Sequence, residues 1–318
     1  MKLPRLAAAL VLVLVASCIN TTRSDGSVHR IAAPALASPL TETYPPPSTP
    51  SDDVQKAVFE RINRDRASNG LAPVAWDPAA ARVSKAFCEQ QVRERSHGHY
   101  LMDGLPPYAR MSFAGVSGFG AENSVSWVTT GISIEKELVS LALTGHDRMM
   151  EERPPKDGHR RAILDPEATH VGVGYFAEEG RLQISQEFLV RRLERLSLSR
   201  GSDHLPVLAV DGRVLAPDRI QFVTIAREPR PAQLTRKEAN AHTSYAYPDA
   251  ADAYIPEGYR SMRIVGTVTA SRLRLKGDRD FSFTFYPVET GLFTFIFYVA
   301  PREGEKTRPA GSATVLFE

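Results

Sequence analysis

Val171-Gly172-Val173-Gly174-Tyr175 alternates bulky residues with residues that carry no side chain, at the period of a β-strand. One face of such a strand packs, and the other lets a second backbone pass at close range. Whatever fold contains it must lay something tightly on the glycine face. The turn Ala177-Glu178-Glu179-Gly180 follows, and Leu182-Gln183-Ile184-Ser185-Gln186-Glu187-Phe188 returns as the partner strand. Just upstream, Gly158-His159-Arg160-Arg161-Ala162-Ile163-Leu164-Asp165-Pro166 reads as a short helix. It has a histidine at its start, Asp157 as its cap, and Pro154-Pro155 breaking the chain before it.

The region before that helix is itself helical. Ser51-Asp52-Asp53 caps a first helix, on which Val54, Val58 and Ile62 recur at helical spacing until Asn69-Gly70. Asp77-Pro78 opens a second, with Val83, Phe87, Cys88 and Val92 on its stripe. A third follows Ser133, with Ile134, Leu138, Leu141 and Ala142 on one face and Gly145 at its end. Helices first and a hairpin late predict an α+β domain around an antiparallel sheet, over residues 51–195.

After Arg200-Gly201-Ser202 the pattern is strands alone. Asp211-Gly212 inside Val207–Leu215 predicts a tight hairpin. Phe281, Phe283 and Phe285 alternate with Ser282 and Thr284, and Phe293–Val299 and Thr314–Phe317 are further strands. Residues 201–318 are expected to form an all-β domain, most simply a small sandwich. Arg272-Leu273-Arg274-Leu275-Lys276 reads as a half-buried strand with a solvated basic face.

Lys2 and Arg5 precede an apolar run over residues 6–15, which is too short to span a membrane and reads as a signal peptide, residues 1–17. Val15-Ala16-Ser17-Cys18 is similar to a bacterial lipobox, so Cys18 is the expected lipid attachment site. The membrane is then a partner through that lipid, and Ile19 favours an outer-membrane or outward-facing envelope location. Residues 18–50, rich in Ser, Thr and Pro, are expected to be a flexible tether. With Cys18 lipidated, Cys88 is left as a small buried hydrophobe. A formal net charge of +2 gives no reason to expect nucleic acid.

Several chemistries lack their residues. Gly115-Val116-Ser117-Gly118 misses the last glycine of a nucleophile elbow, there is no phosphate-binding loop, and two cysteines 70 positions apart make no Cys-x-x-Cys site. What remains is a set of dispersed histidines and glutamates. His99 and His159 are neutral-imidazole metal ligands by type, and a nearby carboxylate such as Glu122 can fix a ring tautomer. His97 reads as an exposed loop residue and His146 as structural.

In order along the chain, Arg66-Ala67-Ser68-Asn69-Gly70-Leu71-Ala72-Pro73-Val74-Ala75-Trp76-Asp77, His99, Asp103-Gly104, Arg110, Ala121-Glu122-Asn123, Gly158-His159-Arg160 and the Val-Gly-Val-Gly strand resemble bacterial CAP domains (also called SCP domains), the superfamily of cysteine-rich secretory proteins, antigen 5 and pathogenesis-related 1 proteins. The resemblance covers roughly residues 52–190. It implies an α-β-α sandwich with a central antiparallel sheet and a broad cleft where two histidines and two glutamates converge and can bind zinc or another divalent cation. His99, Glu122 and His159 match three of these positions. Glu137, Glu151 and Glu152 compete for the fourth. The resemblance also implies a cleft ligand, lipid or sterol-like or a protein partner, in a binding module. The alternative is a metal-dependent hydrolase, peptidase-like or acting on cell wall, with Glu122 as the candidate catalytic base.

Overall fold

A computed structural model describes residues 40–43, 48–128, 134–200, 207–256, 271–287, 289–302 and 305–317. The expected signal peptide, Cys18 and most of the expected tether lie outside these residues. Among the described residues, no helix is long and apolar enough to cross a membrane. Within the segment expected to be a tether, Leu40–Thr43 forms a strand, β1, paired antiparallel with residues 195–198.

Helix α1 (Asp53–Ser68) starts where the Asp52 carboxylate accepts from the main-chain N–H groups of Val54 and Gln55, at 3.0 and 3.1 Å. Strand β2 (Ala75–Trp76) follows, and α2 (Pro78–Glu94) begins with Asp77 accepting from Ala80 N at 2.8 Å. Both caps satisfy donors that the first helical turn leaves open. Then come α3 (Pro107–Phe113), β3 (Phe119–Val128), α4 (Ile134–Glu151), α5 (Gly158–Ile163), β4 (His170–Glu178) and β5 (Arg181–Val190). The first sheet has the order β2-β4-β5-β3, with β4 and β3 antiparallel to β5 and β2 parallel to β4.

The alternation in β4 sets the layers. Val171 and Val173 are fully buried in a core with Val58 and Ile62 of α1, Ala142 and Met149 of α4, and Ile163 of α5. The glycines face α2. A Cβ on Gly172 would stand 2.3 Å from Ala81 N, and one on Gly174 2.2 Å from Lys85 N. Ala81 and Lys85 are one helical turn apart, so α2 lies along the glycine face with its backbone in contact. The result is an α-β-α arrangement, with α1, α4 and α5 on one side of the sheet and α2 on the other.

Two details depart from the sequence reading. Gly145 does not end α4, which continues to Glu151. A Cβ there would come within 2.9 Å of Val125 Cγ1, so the glycine serves close packing on β3. Asp157 makes no side-chain cap on α5. Glu152 takes that role instead, accepting from His159 N at 3.0 Å and Arg160 N at 3.4 Å.

The remaining strands are β6 (Leu193–Arg200), β7 (Leu208–Val214), β8 (Arg219–Glu228), β9 (Ala250–Pro256), β10 (Ser271–Lys276), β11 (Asp280–Phe285), β12 (Gly291–Ala300) and β13 (Arg308–Phe317), with α6 (Arg236–Ala241) between β8 and β9. They join β1 in one nine-stranded sheet, order β1-β6-β7-β11-β10-β9-β8-β12-β13. Rather than two stacked sheets, this single sheet rolls until it nearly closes. Arg192 N donates to Ala310 O at 2.8 Å, and Gly311 faces Leu193. The sheet therefore begins before residue 195 and also takes in β1. Asp211-Gly212 is not a turn. It lies within β7, where the Phe281 ring fills the space above Gly212. The interior holds Phe281, Phe283, Phe285, Phe293, Phe295, Phe297 and Phe317. β12 is buried on both faces because its other face packs toward α3, with Leu292 against Tyr108 and Ala109.

Candidate functional site

The site forms at β3, the edge strand of the four-stranded sheet. Glu122 stands on β3 directly opposite Glu187 of β5, and both are 3% exposed. His99 lies in the loop after α2, 7% exposed, and its Nδ1 is 2.8 Å from Glu122 Oε1. Arg110 of α3 donates through Nη2 to Glu122 Oε2, and through Nη1 to His99 O at 3.3 Å. The face of its guanidinium stacks over the Phe87 ring, 4.0 Å from the centroid.

Charge distribution follows from these contacts. Burial pushes the Glu122 carboxyl up, but the Arg110 charge and hydrogen bonds from His99 and Glu187 outweigh it and hold Glu122 below the usual carboxylate range. Burial, together with the Glu122 charge and hydrogen bond, drives Glu187 well above that range. The pair therefore shares its ionisation unequally, with Glu122 charged and Glu187 protonated and donating to it. A charged Glu122 can only accept, so His99 Nδ1 carries the proton and the lone pair of a neutral ring falls on Nε2.

His159 is held in the same way by another glutamate. Its Nδ1 is 2.5 Å from Glu152 Oε1, while Glu152 Oε2 takes the two main-chain N–H groups of α5. Asn123, next to Glu122, donates to His159 O at 3.1 Å and ties α5 to the strand. The His99 and His159 rings lie 6.4 Å apart at 34°. Of the three glutamates competing for the fourth position, Glu152 is the one placed against a histidine. Glu137 and Glu151 are exposed on α4. The two imidazoles thus each have Nδ1 bonded to a carboxylate, which fixes the orientation of the ring. Among the described residues, no group of three or more His, Cys, Asp or Glu side chains is arranged to hold a metal ion.

Among the described residues, His97, His146 and Cys88 make their contacts outside the two histidine–glutamate pairs. His97 is exposed, and its N–H donates to Asn240 Oδ1 at 2.9 Å. His146 is fully buried between Asp65 Oδ2, at 2.8 Å, and Gln186 Nε2, at 3.2 Å. Cys88 is fully buried, with its Sγ 3.5 Å from Gly174 O and its thiol pushed well up by burial. Arg110 stood in the resemblance without a role, and its guanidinium is what keeps Glu122 charged. Glu187 escaped notice because Gln183, Ser185 and Glu187 alternate like a solvated face, which α2 in fact covers. Tyr245 also belongs to the site. Its hydroxyl accepts from Glu122 N at 2.5 Å, and its ring meets that of His99 edge-on at 5.0 Å. Nothing local in the sequence links it to a residue 123 positions away.

Residues 59–188 match the cysteine-rich secretory protein family, CAP. With the layered sheet around Glu122 and the two histidines, this region of the chain is a CAP domain, and an all-β region follows it. The chain is 29% identical over 154 residues to the uncharacterized protein YkwD of Bacillus subtilis (strain 168), across 48% of this chain and 54% of that protein. It therefore spans about half the length of this curated relative. Among solved structures, it is similar to an outer surface protein from Borrelia burgdorferi (15% identity, 45% of this chain and 96% of that one, TM-score 0.34). It is also similar to an extracellular SCP-domain protein from Bacillus anthracis (18% identity, 45% of each chain, TM-score 0.33).

Proposed function

We propose that this is an exported envelope protein, lipid-anchored through Cys18, whose CAP cleft is a binding site built on the His99–Glu122 and His159–Glu152 pairs. The observation that carries the reading is the matched tethering of two neighbouring imidazoles through Nδ1, which turns both rings into oriented Nε2 ligands. A divalent cation such as zinc held there would keep open positions for a ligand from solvent, a lipid or sterol-like molecule or a segment of a protein. A groove of about 540 Å³ lies beside α5, lined by Ala121, Asp157, Arg160 and Arg161 among others but not by His99 or His159.

Binding is favoured over turnover by the state of Glu122. Both of its oxygens are engaged and its carboxyl is held below the usual range, so it is a weak base. A metal-dependent hydrolase would need a base elsewhere. Calorimetric titration of the full chain with zinc tests the site. Wild type is expected to bind one ion, and His99→Ala with His159→Ala to bind none. Glu152→Gln should weaken binding by about 10–100-fold. Equal binding by wild type and the double variant would sink the cation reading.

A further inference from the structure

The connection from β8 to β9 crosses the CAP cleft. Leu234 N donates to Met102 O at 2.8 Å, and His99 N donates to His242 O at 3.3 Å. Beyond α6 the chain runs without regular structure to Asp249, and two tyrosines spaced by one residue reach the free edge of β3. Tyr245 and Tyr247 hydroxyls accept from Glu122 N at 2.5 Å and Gly120 N at 3.2 Å. On a β-strand, alternate N–H groups point to the same side, and i, i+2 side chains of an extended segment match that spacing. The strap therefore covers part of an edge that would otherwise expose unpaired donors. Tyr247 is fixed between the rings of Tyr108 and Phe119, at 4.6 and 4.5 Å.

The CAP loop is shaped to receive it. A Cβ on Gly98 would lie 2.8 Å from His242 O, and one on Gly104 2.2 Å from Ala232 O, both strap carbonyls. Both glycines have positive φ, 93° and 74°, so the loop takes a path that most residues avoid and meets the strap backbone directly. The consequence falls on His99. It lies in a loop beside the exposed His97, yet it is 7% exposed, with the Tyr245 ring against it. His159, in the same cleft, keeps a third of its side chain exposed.

We propose that the strap is a wall of the cleft and that Tyr245 is a positioning residue for His99, contributed by the all-β region. Its ring prevents the imidazole from turning off Glu122 and closes one approach, so that a ligand reaches His99 from the side of His159. The proposal takes the His99–His159 cleft as the binding site, and so rests on the function proposed above.

Histidine acylation by diethylpyrocarbonate, mapped by peptide mass spectrometry on the full chain, tests it without metal or ligand. In wild type, His99 should react about tenfold or more slowly than His159, because the Tyr245 ring leaves only the approach from the side of His159, and fuller access requires local opening of the strap. Tyr245→Ala should bring His99 to the rate of His159, and Tyr245→Phe, which keeps the ring, should restore most of the protection. His146, buried between Asp65 and Gln186, must stay unreactive in each variant, which reports an intact fold. Equal rates for His99 and His159 in wild type would overturn the proposal without recourse to any variant. So would protection unchanged by Tyr245→Ala. Because the readout needs no zinc, failure of cation binding leaves this test standing, and failure here leaves the zinc titration standing.

Discussion

The four-stranded sheet keeps Glu122, Gln183, Ser185, Gln186 and Glu187 at 3% exposure or less, whereas the rolled nine-stranded sheet is filled by phenylalanines from β11, β12 and β13. Both interiors are sealed from water, but they are sealed with different chemistry. In the CAP region, buried charge is matched group by group. Arg191 pairs with Asp77 at 2.9 Å with each side chain 1% exposed, and Arg66 donates to the carbonyls of Ala72, Ile163 and Asp165. Such contacts are directional, and they fix where chain segments end and which way a ring points. In the rolled sheet, Phe285 meets Phe293, Phe295 and Phe317 at centroid distances between 5.1 and 5.8 Å. Those contacts stabilise through area and packing, and they place no polar atom. The chain thus separates the two tasks. One sheet holds a polar site in register, and the other supplies apolar burial and a platform from which a strap is held over that site.

The contrast can be tested from both sides. The largest effect is expected in the aromatic interior, where Phe295→Ala should cost about 3–5 kcal/mol in chemical denaturation, since it empties a fully buried aromatic position. Loss of under about 1 kcal/mol would mean that the rolled sheet is not the stabilising half. In the CAP sheet a single methyl should suffice to disturb the fold. Gly174→Ala forces a Cβ into the α2 backbone at Lys85 and should cost about 1–3 kcal/mol, read in the same way.

The third effect is smaller and has the opposite sign. Glu187 is protonated in the fold, its carboxyl raised by burial and by Glu122. Its unfolded counterpart releases a proton at about pH 4.3, so the stability it lends is full below that value and is lost as pH rises toward the folded-state value. Glu187→Gln keeps a donor for Glu122 and removes this loss. The variant should melt higher than wild type at neutral pH, with the difference shrinking as the medium is acidified toward the unfolded-state value. A lower Tm for the variant at neutral pH would show that Glu187 is charged in the fold.

Much of the CAP region could be read locally. Asp52 and Asp77 mark helix starts because a carboxylate before an apolar stripe has one main use there, and Val171–Tyr175 announces a backbone pressed on its glycines. Local signals failed where a residue's partner lies far away. Asp211-Gly212 carries a turn signature, yet β6 and β11 pair on both sides of it and hold it extended. Gly145 resembles a helix end, yet β3 lies against it. Glu152 was one of three candidates until the turn between α4 and α5 brought it to His159.

The sequence by itself determined the two classes of region, the strand that α2 must cover, and His99, Glu122 and His159 as candidates. Each of these rests on periodicity, capping or an ordered motif, all of which act over a few residues or recur in a family. The tertiary structure decided the rest. It placed Glu152 against His159, set Glu122 against Glu187 and Arg110 so that one carboxyl is charged and the other is not, and carried Tyr245 from the connection between β8 and β9 to His99. Ionisation and enclosure depend on what stands within a few ångströms in space, and in this protein those neighbours come from elements as far as 146 positions apart in the chain.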